Sequence, residues 1–209
     1  MKQAIAEELL KIKAVSLQPD DPFTWSSGIL SPIYCDNRLT LSYPSLRQSI
    51  ANELQTLIEK QYPDVEVVAG TATAGIPHAA LVADKMNVPM IYVRGSSKSH
   101  GKGNQIEGVV KENQKVVIVE DLISTGGSVI GVQKALQQAG ADVLGTAAIF
   151  TYGLERGKEN LQAANLKTET LTDYEALIQA ALSKNFVTTE QYERLEMWKK
   201  DPENWLQAL

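Results

Sequence analysis

The sequence predicts an α/β fold, in which a mainly parallel central sheet is flanked by helices. From about residue 42 to residue 150, short apolar runs rich in β-branched residues alternate with longer amphipathic stretches, a pattern typical of consecutive β/α units. Two of the apolar runs also lead into turns of small residues that open a helix. Folds with this organisation bind their ligands at the carboxyl ends of the parallel strands.

The individual elements follow from local patterns along the chain. An amphipathic stretch predicts a helix at about residues 2–14, and extended pieces follow near Phe23–Trp25 and Ile33–Asp36. Ser42 with Pro44 predicts the start of a helix that runs to about Lys60. The next predicted elements are a strand at Val65–Ala69, a helix at Ile76–Met86, strands at Pro89–Arg94 and Lys115–Glu120, a helix at Ser128–Ala139 and a strand at Asp142–Phe150.

The tail after the last strand is predicted to be helical, with capping boxes formed by Thr172 with Glu175 and by Thr188 with Gln191. At this length we expect a single domain over residues 1–209. About residues 1–40 are expected to pack with part of the tail as a small N-terminal hood over the sheet.

Composition narrows the class of protein. The net charge of −5 argues against a general nucleic-acid or membrane-surface binder, and the apolar runs are far too short to span a bilayer. The single cysteine excludes an internal disulfide and a multi-cysteine metal site, so a cytoplasmic location is expected. Because its neighbours are strand-like, Cys35 is expected to be a small packed residue rather than a nucleophile.

The most informative segment is 116–128, with the sequence VVIVEDLISTGGS. Its apolar run predicts a buried parallel strand that ends in the carboxylates Glu120 and Asp121. The glycines, hydroxyls and helix start that follow suit an anion such as a phosphate. The acids would repel a phosphate but suit sugar hydroxyls or a cation that travels with the ligand. A phosphorylated polyol is therefore the predicted ligand, and the alternative is a turn that only connects a strand to a helix.

A second segment is basic although the protein is acidic. Between Arg94 and Ile106 the chain carries Lys98, His100 and Lys102, three glycines and no acid. Such a loop suits a highly charged anion such as pyrophosphate and can exclude water by closing over it. The alternative is a solvated hairpin connection.

A third segment, residues 70–77, has the sequence GTATAGIP at another predicted strand end. Its small residues permit a backbone approach to an anion, and a tight turn explains them equally well. His78, near the start of the helix that follows, is expected to be a surface or packing residue rather than a catalyst.

Taken together, these segments resemble the orotate phosphoribosyltransferases, which are type I phosphoribosyltransferases. Residues 23–38, FTWSSGILSPIYCDNR, look like that family's N-terminal substrate region, and R-x-x-x-K-x-H-G at 94–101 is similar to its flexible catalytic loop. The EDLISTGGS string at 120–128 resembles its loop for phosphoribosyl pyrophosphate (PRPP), and Arg156 in LERG aligns with an arginine on the orotate side. The resemblance covers nearly the whole chain and implies the type I phosphoribosyltransferase fold.

The resemblance implies a pentosyltransferase that moves ribose 5-phosphate from PRPP to N1 of orotate, in pyrimidine nucleotide synthesis. Mg²⁺ is implied as a cofactor carried by PRPP, with no direct protein ligand. A homodimer is also implied, with the basic loop 94–106 acting across the interface. The implied PRPP-binding residues are Arg94, Lys98, His100, Glu120, Asp121, Leu122, Ile123, Ser124, Thr125, Gly126, Gly127 and Ser128. Those on the orotate side are Ser124 and Arg156, and those in catalysis are Lys98, His100 and Asp121.

The chain also departs from the family pattern. Some members carry lysines where this chain has Ser26, Ala74 and Gly95, so contacts from those side chains are absent or replaced, with Lys102 as one candidate. The alternatives are a purine or uracil phosphoribosyltransferase, and a regulator of the same fold that binds PRPP and nucleic acid without catalysis.

Overall fold

The computed structural model describes residues 2–25, 28, 30–95 and 105–208. It divides the chain into two compact units, one formed by Met1–Thr40 with Thr172–Leu209 and the other by Leu41–Leu171. The helices are α1 (Lys2–Lys11), α2 (Pro44–Gln61), α3 (Gly75–Met86), α4 (Gly127–Gln138), α5 (Glu155–Ala163), α6 (Tyr174–Ser183) and α7 (Thr189–Lys200). The strands are β1 (Val15–Leu17), β2 (Phe23–Thr24), β3 (Leu30–Ser31), β4 (Ile33–Cys35), β5 (Val67–Thr71), β6 (Met90–Val93), β7 (Ile106–Glu107), β8 (Lys115–Ile123), β9 (Asp142–Thr151) and β10 (Thr168–Asp173). Two 3-10 helices lie at Asn37–Ser42 and Trp205–Ala208.

A six-stranded sheet forms the core of the larger unit, in the order β10-β9-β8-β5-β6-β7. Strands β6, β5, β8 and β9 run parallel, and β7 pairs antiparallel with β6. The predicted mainly parallel α/β fold is therefore confirmed.

Both faces of this sheet are buried. Val116 and Ile118 on β8 belong to one apolar cluster with Val132 and Leu136 of α4. Val117, which alternates with them and therefore faces the other side of the sheet, is also fully buried. Helix α3 packs along β5 and β8. Burial on both faces explains why the strands read as continuous apolar runs.

In the smaller unit, short antiparallel ribbons join β1 to β4 and β2 to β3. Its core contains Trp198, whose ring lies 5.1 Å from the ring of Tyr174 and 5.9 Å from that of Trp25 between centroids. Cys35 is buried in β4, as expected of a packed residue. The position of this unit as a hood stays a prediction. None of the helices in the described ranges is both long and apolar enough to cross a membrane.

Several element boundaries differ from the sequence prediction. Helix α1 ends at Lys11 rather than near residue 14, because the chain turns at Lys13 with a φ of 58°. The tail is not helical throughout, since β10 lies between α5 and α6. Thr172 is buried at the end of that strand, so the capping box with Glu175 is wrong.

The tail helices α6 and α7 are capped by side chains. Asp173 takes the capping position of α6 by accepting a hydrogen bond from the Ala176 backbone N–H at 2.9 Å. The predicted box of Thr188 with Gln191 is confirmed at the start of α7.

Candidate active site

The two acids of segment 116–128 lie within β8, which continues past both of them. Pairing with β9 continues through Glu120, opposite Ala148, to Ile123, opposite Thr151. The prediction of a strand ending at Glu120 is therefore wrong by three residues, because the ladder to β9 outweighs the low strand propensity of two acids. The turn of small residues begins directly after this longer strand.

The environment of Glu120 separates it chemically from Asp121. The Glu120 side chain is buried, whereas Asp121 is half-buried. The Asp121 backbone N–H donates to Oε1 of Glu120 at 2.9 Å. Burial raises the pKa of the Glu120 carboxyl well above its usual range, and the hydrogen bond and charge of the Asp121 carboxyl raise it further. The raised pKa favours the protonated form of Glu120.

A cavity of about 290 Å³ lies at the end of β8. Helix α4 begins at its edge with Gly126 as the capping residue, which has a φ of 79° and offers no side-chain cap. The first backbone N–H groups of a helix have no partner within the helix, so they remain available for an anion. The cavity is lined by Glu120, Leu122, Ile123, Ser124, Thr125, Gly126, Gly127, Ser128 and Val129. One of the two predicted acids, Glu120, and the whole predicted phosphate loop therefore line the same cavity.

Segment 70–77 packs behind the acid pair. A Cβ on Gly70 would lie 2.9 Å from the Ile76 Cα, and one on Gly75 would lie 2.5 Å from the Val119 carbonyl oxygen. Both glycines therefore have a packing role, because they let α3 approach β5 and β8 closely. The peptide bond between Ala72 and Thr73 is cis.

His78 of α3 is buried, which agrees with a packing role. Burial lowers its pKa to about 4. Neither ring nitrogen has a hydrogen-bond partner among the described residues, so His78 is neutral at physiological pH.

Helix α5 places Arg156 beside the phosphate loop. Arg156 lies in the exposed first turn of α5, and a Cβ on the next residue, Gly157, would lie 2.5 Å from the Ser124 carbonyl oxygen. The two residues predicted on the orotate side, Ser124 and Arg156, thus come from segments in direct contact.

The basic loop leaves the sheet as a hairpin between β6 and β7. Val93 pairs with Ile106, and the Arg94 backbone N–H donates to the Gln105 carbonyl at 3.0 Å. The Arg94 side chain pairs with Glu107, with 3.6 Å between Nε and Oε1. Both ends of the loop are therefore held together. The predicted residues Lys98 and His100, with Lys102, lie outside the described residues.

The site offers few protein ligands for a metal ion. No group of three or more histidine, cysteine or carboxylate side chains that could hold a metal occurs in the described part of the chain. The acid pair alone provides few oxygen ligands. Such a pair fits a Mg²⁺ ion that takes most of its oxygen ligands from water and from the phosphates of the bound substrate.

Some of the site's residues were not predicted from the sequence. Val129 completes the cavity wall. The tail was predicted to be helical, but the close contact of α5 with the phosphate loop through Gly157 was not predicted. Asn160 contacts the Thr125 carbonyl across 35 positions of sequence. A pairing at that separation leaves no local pattern, although Leu154 and Leu161 flanking Gly157 hint at a packed helix.

The chain thus has a mainly parallel sheet and a phosphate-type loop at the carboxyl end of an acid-bearing strand. Residues 43–184 match the family model of the phosphoribosyl transferase domain, so the protein is a phosphoribosyltransferase by class. A Listeria innocua orotate phosphoribosyltransferase is 60% identical over 205 residues, covering 98% of each chain. One from Bacillus cereus is 59% identical over the full length of both chains. The crystal structure of the Aeropyrum pernix orotate phosphoribosyltransferase superimposes with a TM-score of 0.77 at 27% identity, covering 88% of this chain and 99% of that one. The chain therefore belongs to the orotate phosphoribosyltransferase family.

Proposed function

We propose that this protein transfers ribose 5-phosphate from PRPP to N1 of orotate, releasing orotidine 5′-monophosphate and pyrophosphate. Full-length identity near 60% to orotate phosphoribosyltransferases supports the reaction. The structural observation that supports this reaction is the cavity, which is lined both by Glu120 and by the uncapped start of α4. One wall suits a phosphate and the other suits sugar hydroxyls, as a phosphorylated ribose requires.

The 5′-phosphate is assigned to the loop 123–128. Backbone N–H groups there, with the Thr125 and Ser128 hydroxyls, donate hydrogen bonds to its oxygens. The positive end of α4 adds a favourable field for the anion. Gly126 is needed in this loop because its φ is positive, a backbone conformation that is strained in residues with a side chain.

Glu120 and Asp121 are assigned to the ribose. Protonated Glu120 can donate to one ribose hydroxyl while Asp121 accepts from another. As the bond from C1′ to the pyrophosphate oxygen breaks, positive charge develops on the ring. The negative charge of Asp121 then stabilises the transition state more than the ground state, which is what accelerates a reaction.

The leaving pyrophosphate is assigned to Arg94, Lys98 and His100. The Arg94 side chain forms an ion pair with Glu107 at 3.6 Å, and both side chains are partly exposed. Because such a pair is weak, Arg94 can exchange Glu107 for a more highly charged anion. Lys98 and His100 follow from the family resemblance. Mg²⁺, carried by PRPP and without a direct protein ligand, would further neutralise the pyrophosphate charge.

Orotate is assigned to Ser124 and Arg156. A guanidinium suits the orotate carboxylate because it donates two parallel hydrogen bonds. Gly157 holds the start of α5 against Ser124, so this arginine begins close to the ribose site. The same proposal includes a homodimer in which the loop 94–106 acts in the partner's site, and a cytoplasmic location.

The test is loss of orotate absorbance when the protein is mixed with PRPP, with Mg²⁺ present or removed by chelation. Uracil and adenine serve as alternative bases. We expect Mg²⁺-dependent consumption of orotate alone. Turnover with uracil or adenine instead of orotate would show that the substrate is another base. Folded protein that binds PRPP without turnover, and that shifts nucleic acid in a gel, would support the regulator.

A further inference from the structure

Helix α5 contacts the phosphate loop at three successive residues. A Cβ on Gly157 would lie 2.5 Å from the Ser124 carbonyl oxygen, so these backbones are in close contact. The Asn160 side chain donates from Nδ2 to the Thr125 carbonyl at 2.9 Å. The Leu161 side chain lies 3.1 Å from the position of a Cβ on Gly126. One face of α5 thus follows the loop from 124 to 126.

These contacts fix the direction of the loop's peptide groups. In a trans peptide the C=O and N–H bonds point in opposite directions. Since the Ser124 and Thr125 carbonyls face α5, the N–H groups of Thr125 and Gly126 face away from that helix. The loop residues also line the cavity, which is the side that we infer these two donors to face.

We propose that Asn160 is a positioning residue, which orients the Gly126 N–H for the 5′-phosphate by holding the Thr125 carbonyl. This inference rests on the proposed function. The Asn160 amide is the only side-chain hydrogen bond donor to the loop carbonyls 124–126 among the described residues. Because Arg156 is on the same helix, α5 also joins the phosphate loop to the base side of the site.

The test compares Asn160→Ala with Glu159→Ala, a matched control at the neighbouring exposed position of α5. We expect Asn160→Ala to raise the KM for PRPP roughly five- to twentyfold, the effect of a lost hydrogen bond that also frees the loop. Ribose 5-phosphate should inhibit this variant more weakly by a similar factor. Inhibition by pyrophosphate, which occupies the other end of PRPP, should be unchanged.

A second variant keeps the proposal falsifiable if the alanine variant is unstable. Asn160→Asp has nearly the same shape but places an anion against the Thr125 carbonyl, so its loss of PRPP and ribose 5-phosphate binding should exceed that of the alanine. Equal weakening of ribose 5-phosphate and pyrophosphate, or wild-type constants in both folded variants, would overturn the role of Asn160. Inactive wild-type protein would instead refute the proposed function.

Discussion

Gly75 lies directly against the carbonyl oxygen of Val119, where a Cβ would come within 2.5 Å. This contact joins the first turn of α3 to β8 one residue before Glu120. No flexible side chain is available to give way, because the opposing atom belongs to the backbone of a central strand. The position of the acid pair therefore depends on a glycine in a different segment.

We predict that Gly75→Ala lowers the free energy of unfolding by about 1–3 kcal/mol, the usual cost of overpacking. Chemical denaturation measures this change. Gly131→Ala is the matched control, since a Cβ on that helical glycine meets nothing within 4 Å. The control should gain about 0.5–1 kcal/mol from helix propensity. Equal stability of the two variants would refute the close contact.

Asp121→Asn should lower kcat/KM for PRPP on the order of a hundredfold, because a neutral amide no longer stabilises the positive ribose ring. Steady-state kinetics with varied PRPP measure the effect. Asp142→Asn, at the exposed start of β9, should leave the kinetics unchanged. Normal PRPP saturation and turnover in Asp121→Asn would reject the assignment.

Lys98→Ala should lower kcat by two to three orders of magnitude, roughly the effect of removing one charge that acts in the transition state. The melting temperature should stay the same, which separates a catalytic loss from unfolding. Lys111→Ala removes an exposed lysine elsewhere and should retain full turnover. An unchanged kcat in Lys98→Ala would remove this residue from the mechanism.

Arg156→Ala should raise the KM for orotate about ten- to a hundredfold, as expected for a lost charge-assisted hydrogen bond, and should affect PRPP much less. Lys158→Ala, two residues along the same helix, removes an exposed surface pair with Glu155 and should change neither constant. A larger rise in the KM for PRPP than in the KM for orotate would show that Arg156 does not bind the base.

The stability contribution of His78 should depend on pH. Its pKa falls from 6.5 to about 4 on burial, so the unfolded chain binds a proton that the folded protein does not bind between these values. Stability from this group is therefore complete above about pH 6.5 and is lost as the pH falls towards 4, with a slope of at most about 1.4 kcal/mol per pH unit. Glu120 contributes the opposite slope, because its pKa is raised.

Comparing variants isolates the histidine contribution. The chain has two histidines, so His100→Gln is the matched control and should keep the wild-type pH profile of unfolding. In His78→Gln the free energy of unfolding should rise less steeply with pH between 4 and 6.5. Identical profiles for the two variants would contradict a buried neutral His78.

The sequence predicted the parallel sheet and the phosphate loop because both depend on local patterns. The run at 116–119 signals a buried strand without knowledge of its neighbours, and the glycines after it signal a tight turn. The extent of β8 was missed because its last residues are held by pairs such as Leu122 with Phe150. Strand pairing of that kind joins distant segments, and it outweighs local propensity.

The support of the site was missed for the same reason. Helix α5 lies in the tail that was predicted to be helical, but only one of its residues is buried. Its contact with the phosphate loop was not predicted, because Asn160 meets Thr125 across 35 positions. Gly75 was predicted to lie in a tight turn or an anion-binding segment, and no role was predicted for Gly157, yet each fits a close backbone contact with another segment. Such contacts become visible only when the elements are assembled.

The most direct test of the site is a crystal structure of the protein with PRPP and Mg²⁺ bound. We predict the 5′-phosphate within hydrogen-bond distance of the backbone N–H groups of the loop 124–128, with the ribose hydroxyls at Glu120 and Asp121. PRPP bound with its phosphate outside this loop, or with its ribose away from both acids, would contradict the account.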